Sequence, residues 1–228
     1  MNAILYWLTQ NSIDVPEDEN WLSGGERSIL HGLRFPKRRK DWLLGRWTAK
    51  QAICAYRPHE YPALSSLEIR AAEDGAPEAF RDGEPGMVVL SISHSNDQGF
   101  CVVGPSGFLI GCDLEQIEPR ENRFLEDYFT AEEIDSCRNA PVESDLALNL
   151  IWSAEESVLK ALRQGLRRDT RSVLVHPDFR ERDRPWSSWT GRCLESSRTF
   201  YGWWRSANGY IYTLASDHPT SSPEQLCL

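Results

Sequence analysis

Two pairs of apolar runs broken by turn residues recur along the chain. Residues 99–103 and 108–114 flank Gly104-Pro-Ser-Gly107, and residues 198–204 and 210–215 flank Arg205-Ser-Ala-Asn-Gly209. An apolar run, a short break rich in Gly, Pro or Asn, and a second apolar run make the pattern of an antiparallel hairpin. Each pair comes after a stretch of helical spacing, one directly following residues 34–40 and one over roughly residues 144–164. The halves therefore share an outline, a helix followed by strands ending in a hairpin, although no residue-level repeat links them. A chain of 228 residues accommodates two compact subdomains, each of about a hundred residues. We place them at residues 1–110 and 111–228 of an α+β fold.

The first hairpin ends on Gly111-Cys-Asp-Leu-Glu115. Side chains alternate along a strand, so Asp113 and Glu115 project from one face while Leu114 packs on the other. Two carboxylates on one face repel, and a cation, a shared proton or exposure to solvent relieves them. The second hairpin has no such pair, which fits one site shared between the halves. On the helix over residues 144–164, Glu156 and Lys160 are one turn apart. Three acids, Asp113, Glu115 and Glu156, are the minimum protein contribution to a magnesium site whose other ligands are water and substrate phosphate. Glu156 paired with Lys160 as a surface salt bridge is the plain alternative.

A basic cluster, Arg34, Lys37, Arg38, Arg39 and Lys40, stands before a helix that carries Arg46 and Lys50. The last two are four apart and share a face, at a small cost unless an anion lies between them. A solvated basic face and an anion site are both open. His94, between Ser93 and Ser95 at a strand end, can bond a phosphate, act as a base or satisfy loop backbone. No Gly-x-x-x-x-Gly-Lys-Ser/Thr, Gly-x-Gly-x-x-Gly or Gly-x-Ser-x-Gly is present, so P-loop, dinucleotide and serine-hydrolase readings have no motif behind them.

The net charge of −9 argues against a dedicated nucleic-acid binder. The six cysteines are widely spaced, with no Cys-x-x-Cys pair and no zinc spacing. No segment approaches 18 consecutive apolar residues, and the short apolar run at residues 3–8 follows no basic region. We therefore expect a cytoplasmic protein with reduced cysteines and no membrane contact. The remaining expectations are a strand at 4–8, a loop at 9–20, a helix within 21–33 and a strand at 67–71. Thr130 and Glu133 have capping-box spacing for a helix to about 138. Gly165 closes the long helix, a strand follows at 172–176, residues 177–191 are a charged loop, and the tail from Ser216 is frayed.

In order along the chain stand Arg39-Lys-Asp-Trp-Leu-Leu-Gly-Arg-Trp-Thr-Ala-Lys50, Gly75-Ala-Pro77, Ser91-Ile-Ser-His-Ser95, Gly111-Cys-Asp-Leu-Glu115, Phe129-Thr-Ala-Glu-Glu133 and Trp152-Ser-Ala-Glu-Glu-Ser-Val-Leu-Lys160, the last followed by Gly165-Leu166. Over residues 34–166 the sequence thereby resembles the 4'-phosphopantetheinyl transferases of the long, two-subdomain type, which modify carrier proteins of peptide, polyketide and fatty-acid synthesis. Each motif is weak alone. Gly-x-Asp-x-Glu followed at this separation by Trp-x-x-x-Glu-x-x-x-Lys is specific.

The resemblance implies two similar subdomains, each a helix packed on a small antiparallel sheet, with coenzyme A in the cleft between them. It makes Asp113, Glu115 and Glu156 the Mg2+ ligands, and Glu156 and Lys160 the catalytic pair. Arg39, Arg46, Lys50, His94 and Lys160 become the contacts to coenzyme A, the co-substrate. The implied partner is an apo acyl or peptidyl carrier protein, which docks on basic and apolar surface near residues 34–40 and 124–129. A monomer is expected, since both halves are in one chain. In this family Lys usually precedes the metal-binding Glu, where this sequence has Glu155. That reversal motivates an alternative, a noncatalytic coenzyme A- or carrier-binding protein of the same fold. A magnesium-dependent phosphate hydrolase would explain the acids but not the combined motifs.

Overall fold

Pro36 at the first turn opens the longer of two helices around which the chain packs, since its missing N–H costs nothing there. The computed structural model describes residues 3–164, 167–180 and 184–228. They divide into two compact units, residues 4–108 with 223–228, and residues 109–222 with Ala3. Both are α+β, with sheets antiparallel apart from one short parallel pair in the N-terminal unit. No described helix is long and apolar enough to cross a membrane.

The N-terminal unit contains β1 (Tyr6–Asn11), α1 (Gly24–Gly32), α2 (Pro36–Tyr56), β2 (Leu67–Ala71), β3 (Pro77–Arg81), β4 (Glu84–Pro85), β5 (Val88–Ser95) and β6 (Gln98–Pro105). Ser23 and Glu26 close a capping box at the start of α1. The sheet order is β12-β1-β6-β5, where β12 (Glu224–Gln225) comes from the tail, and β2-β3-β4 form a small second sheet. Ala49, Ala52 and Ile53 of α2 join Leu8, Leu90, Cys101 and Val103 in the core. Gly99 permits that approach, because a Cβ there would fall 2.4 Å from Thr48 Oγ1.

The C-terminal unit contains β7 (Ile110–Gln116), α3 (Asn122–Tyr128), α4 (Ala131–Arg138), α5 (Ser144–Ala161), β8 (Val173–Pro177), β9 (Ser187–Cys193), β10 (Thr199–Ala207) and β11 (Tyr210–Ser216). Its sheet order is β7-β11-β10-β9-β8. One face of α5 supplies Leu150, Ala154, Val158 and Ala161 to a core with Trp189, Phe200 and Ile211. A fully buried side chain of this size stabilises by about 1.5–3 kcal/mol, so this seam dominates the unit. The box at Thr130 and Glu133 caps α4 as expected.

The first expected hairpin does not form. β6 folds back on β5 through Asn96 and Asp97, both left-handed at φ 43° and 66°. That two-residue turn matches the twist of an antiparallel ribbon. Gly104-Pro-Ser-Gly107 marks instead where the chain leaves the N-terminal sheet, and β7 pairs with β11. The second hairpin forms as expected, β10 with β11, around left-handed Asn208 and Gly209.

Part of the expected loop at 177–191 is strand β9, anchored by buried Trp189. The tail is not frayed, because Glu224–Gln225 form β12 in parallel with β1 and Leu226 packs on the N-terminal core. The expected stop at Gly165, with Leu166, lies outside the described residues; α5 is capped at Leu162.

Candidate functional site

β7 and α5 build the acidic group of the C-terminal unit. Gly111 makes their contact possible, since a Cβ there would sit 1.9 Å from the Ser157 carbonyl oxygen. With α5 pressed against the strand, Ser153, Glu156, Ser157 and Lys160, at helical spacing, run beside Asp113 and Glu115. Leu114, between the acids, is buried.

Asp113 is 2% exposed. Lys160 Nζ donates to its Oδ1 at 2.7 Å and Ser153 Oγ to its Oδ2 at 2.9 Å. Lys160 also lies 3.8 Å from Glu156 Oε2. Trp152 Nε1 donates to Glu115 Oε1 at 3.2 Å and Arg120 to Oε2 at 3.0 Å. Arg120 is itself fixed by Asn149 Oδ1 at 2.8 Å and lies over the Phe124 ring.

Charge is strained here. Burial, then Asp113, push the Glu156 carboxyl up to about 8, with Lys160 opposing and Glu115 adding. Burial and Asp113 also raise Glu115, against the pull of Arg120 and the Trp152 hydrogen bond. Burial works to lower the Lys160 ammonium, but Asp113 and Glu156 outweigh it and hold it above the ordinary lysine range.

Among the described residues no three His, Cys, Asp or Glu side chains converge closely enough to hold a metal ion as they stand. The donor set still suits a hard divalent cation, being carboxylate oxygen without thiolate or imidazole. Burial first and then the Asp113 charge raise the Glu115 and Glu156 carboxyls, and a bound cation would offset the cost of ionising them.

In the N-terminal unit a cavity of about 610 Å³ is lined by Phe35, Lys37, Arg38, Trp42, Arg46, Gly75, Pro77 and His94, among others. Its size suits a small ligand, and its walls combine cations with aromatic and apolar surface. The Arg46 guanidinium stacks on Trp42 at 4.7 Å, and burial lowers its pKa against the opposing pull of Glu26. A neighbouring cavity of about 590 Å³ shares Lys37, Asp41 and His94.

Two residues expected at coenzyme A, Lys50 and Arg39, do not line the cavity that holds Arg46 and His94. Lys50 is fully buried, with Nζ 2.5 Å from Glu26 Oε2 and donating to the carbonyls of Trp21 and Leu64 at 2.9 and 3.0 Å. Its three protons are thereby used in the core, beside Glu26 of α1. Arg39 donates to Glu19 Oε1 at 2.8 Å and to the Leu30 carbonyl at 3.0 Å. It lines a smaller cavity with Glu17, Asp18 and Glu19, not the one holding Arg46 and His94.

Glu155 is fully buried on α5, and its carboxyl is raised well above the ordinary range by burial and then by Glu133. Sequence reasoning missed Arg120, Ser153 and Thr213. Ser153 had a signal, three residues before Glu156 and seven before Lys160, whereas Arg120 and Thr213 reach the acids through tertiary structure alone.

Residues 109–215 match the model of the 4'-phosphopantetheinyl transferase superfamily, ACPS. The match covers just under half of the chain and bears out, over that stretch, the resemblance carried by the motifs. No curated protein sequence matches. Among solved structures the chain is similar to Helicobacter pylori holo-[acyl-carrier-protein] synthase in complex with coenzyme A, at 15% identity and TM-score 0.36, covering 45% of this chain and 100% of that one. The Neisseria meningitidis synthase is 16% identical at TM-score 0.38, covering 46% and 99%. The Thermotoga maritima synthase is 19% identical at TM-score 0.37, covering 57% and 76%.

Proposed function

We propose that this protein is a magnesium-dependent 4'-phosphopantetheinyl transferase that modifies a serine of an apo acyl or peptidyl carrier protein. The observation that carries the reading is the facing of Asp113 and Glu115 on β7 against Glu156 and Lys160 on α5, inside the stretch matched by the family model. In the reaction the serine Oγ forms a bond to the β-phosphorus of coenzyme A. The bond from that phosphorus to the bridging oxygen breaks, and 3',5'-ADP leaves.

Asp113, Glu115 and Glu156 would hold the magnesium ion, which when bound neutralises pyrophosphate charge and stabilises the leaving phosphate. Lys160, kept fully charged by Asp113 and Glu156, donates to phosphate oxygens. We assign acceptance of the serine proton to Glu156, which lies one helical turn from Lys160 on the face of α5 that meets Asp113. Lys37, Arg38, Arg46 and His94 supply the cationic wall for coenzyme A phosphates. Lys50 and Arg39 serve the fold. Glu155, which gives the noncatalytic alternative its motive, lies in the core beside Glu133, so the sign reversal removes no phosphate contact by itself.

Intact-mass analysis of a panel of apo carrier proteins, incubated with this protein, coenzyme A and magnesium with and without chelator, tests the reading. A chelator-sensitive gain of one phosphopantetheinyl group is expected, and Glu156→Gln should lose most of it. Binding of coenzyme A with no mass gain on any carrier would overturn the transferase reading.

A further inference from the structure

The contact between α5, β7 and β11 holds a run of buried hydroxyls where alanine or valine would pack without polar cost. Ser153, Ser157 and Thr213 are all fully buried. Ser153 Oγ lies 2.9 Å from Asp113 Oδ2 and 2.8 Å from Thr213 Oγ1. Thr213 Oγ1 lies 2.7 Å from Ser157 Oγ and 2.9 Å from the Ser153 carbonyl oxygen. Each hydroxyl owns one proton, and that fixes the direction of the run. Asp113 accepts from both Lys160 and Ser153, so the Ser153 proton goes to Asp113 and its oxygen can only accept from Thr213. The Thr213 proton then serves Ser153, at hydroxyl or carbonyl, and Ser157 is left to donate to Thr213. When the Thr213 proton goes to the Ser153 hydroxyl, all three dipoles point toward Oδ2; when it goes to the Ser153 carbonyl, Thr213 holds the turn of α5 that carries Ser153.

We infer that Ser153 and Thr213 are positioning residues for Asp113. They anchor Oδ2 from the core side and set the carboxylate plane, so that Oδ1 is presented beside Lys160 and Glu156. The inference rests on the reading of Asp113 as a metal ligand. It adds that the ligand's orientation comes from a hydroxyl relay reaching across the sheet to β11, a strand with no acid of its own. Groups that orient metal ligands from behind typically change metal affinity by about 10- to 100-fold when removed.

Mn2+ binding, read by the loss of the free-ion electron paramagnetic resonance signal without turnover, provides the test. Thr213→Val keeps the shape and removes the hydroxyl, whereas Thr213→Ser keeps the hydroxyl. The Val variant should bind Mn2+ about tenfold more weakly than wild type, and the Ser variant within about twofold, with both melting cooperatively. Ser153→Ala, which removes the direct donor without adding volume, should weaken binding at least as much as Thr213→Val and carries the test if the latter fails to fold. If Asp113→Asn abolishes binding while Ser153→Ala and Thr213→Val leave it at the wild-type value, the relay merely satisfies a buried carboxylate and the inference is wrong. If Asp113→Asn itself binds Mn2+ as wild type does, the metal reading fails and takes this inference with it.

Discussion

Replacing Glu155 by Gln should make the protein more stable by an amount that grows with pH. Neither Glu155 oxygen has a hydrogen-bond donor, and neither does Glu133 Oε1 on α4, although both side chains are buried. Glu133 Oε2, by contrast, accepts from Thr130 N and Thr130 Oγ1 at 2.8 Å each. Two adjacent buried carboxyls cannot both ionise cheaply, so a proton stays on Glu155 and supplies the donor that Glu133 Oε1 lacks.

In the unfolded chain Glu155 ionises at its ordinary pKa, near 4.5. In the folded chain its pKa is raised, so above pH 4.5 the native state holds a proton that the unfolded state has lost. Stability must then fall as pH rises, by about 1.4 kcal/mol per pH unit, until the folded carboxyl ionises. Glutamine has the same shape, carries no such proton, and offers an amide N–H to Glu133. The gap in unfolding free energy between Glu155→Gln and wild type should therefore widen by about 1.4 kcal/mol per pH unit from about pH 5 upward. Below pH 4 the two proteins should titrate in parallel. Urea unfolding followed by tryptophan fluorescence at one-unit pH intervals measures the gap directly, and Glu115 and Glu156 largely cancel because both proteins carry them. A gap constant across that range would mean that Glu155 is ionised in the fold, and the shared-proton account would be refuted.

Lys50→Met leaves Glu26 buried without its cation, and should cost about 3–5 kcal/mol in chemical denaturation. Coenzyme A affinity of the folded fraction should be unchanged, and a selective loss of affinity would return Lys50 to the ligand. Gly111→Ala drives a Cβ into the backbone of α5 and should destabilise by about 3 kcal/mol or more, with unchanged stability contradicting the close packing of α5 on β7. Deleting residues 223–228 removes the bonds from Glu224 N to the Leu5 carbonyl and from Leu226 N to the Trp7 carbonyl, together with the packing of Leu226. It should cost about 2–4 kcal/mol and speed amide exchange in β1, and a wild-type unfolding midpoint would mean that the tail is dispensable.

What was legible in the sequence follows from how local each rule is. The Thr130 and Glu133 cap and the start of α5 depend on neighbours within a turn, and they were placed correctly. The alternation that set Asp113 and Glu115 together against Leu114 is equally local. The first hairpin failed because β6 has turn signals at both ends, Asn96-Asp97 and Gly104-Pro-Ser-Gly107, and choosing between them depends on which strand is available to pair. Arg46 and Lys50 share a helix face by spacing, yet one lines a cavity and the other is buried under α1 beside Glu26, a residue 24 positions away in sequence that no spacing rule connects to it.

Glu155 carries the same lesson with the sign of a charge. In the motif it reads as a reversal next to a metal ligand, and hence as a threat to phosphate binding. A helix turns by about 100° per residue, so adjacent positions on α5 face different surroundings, Glu156 toward Asp113 and Glu155 toward Glu133. The reversal is taken up in the core between α4 and α5, where burial and Glu133 raise the Glu155 carboxyl, and the cationic side of the acidic group is supplied by Lys160 and Arg120, of which only the first belongs to the motif.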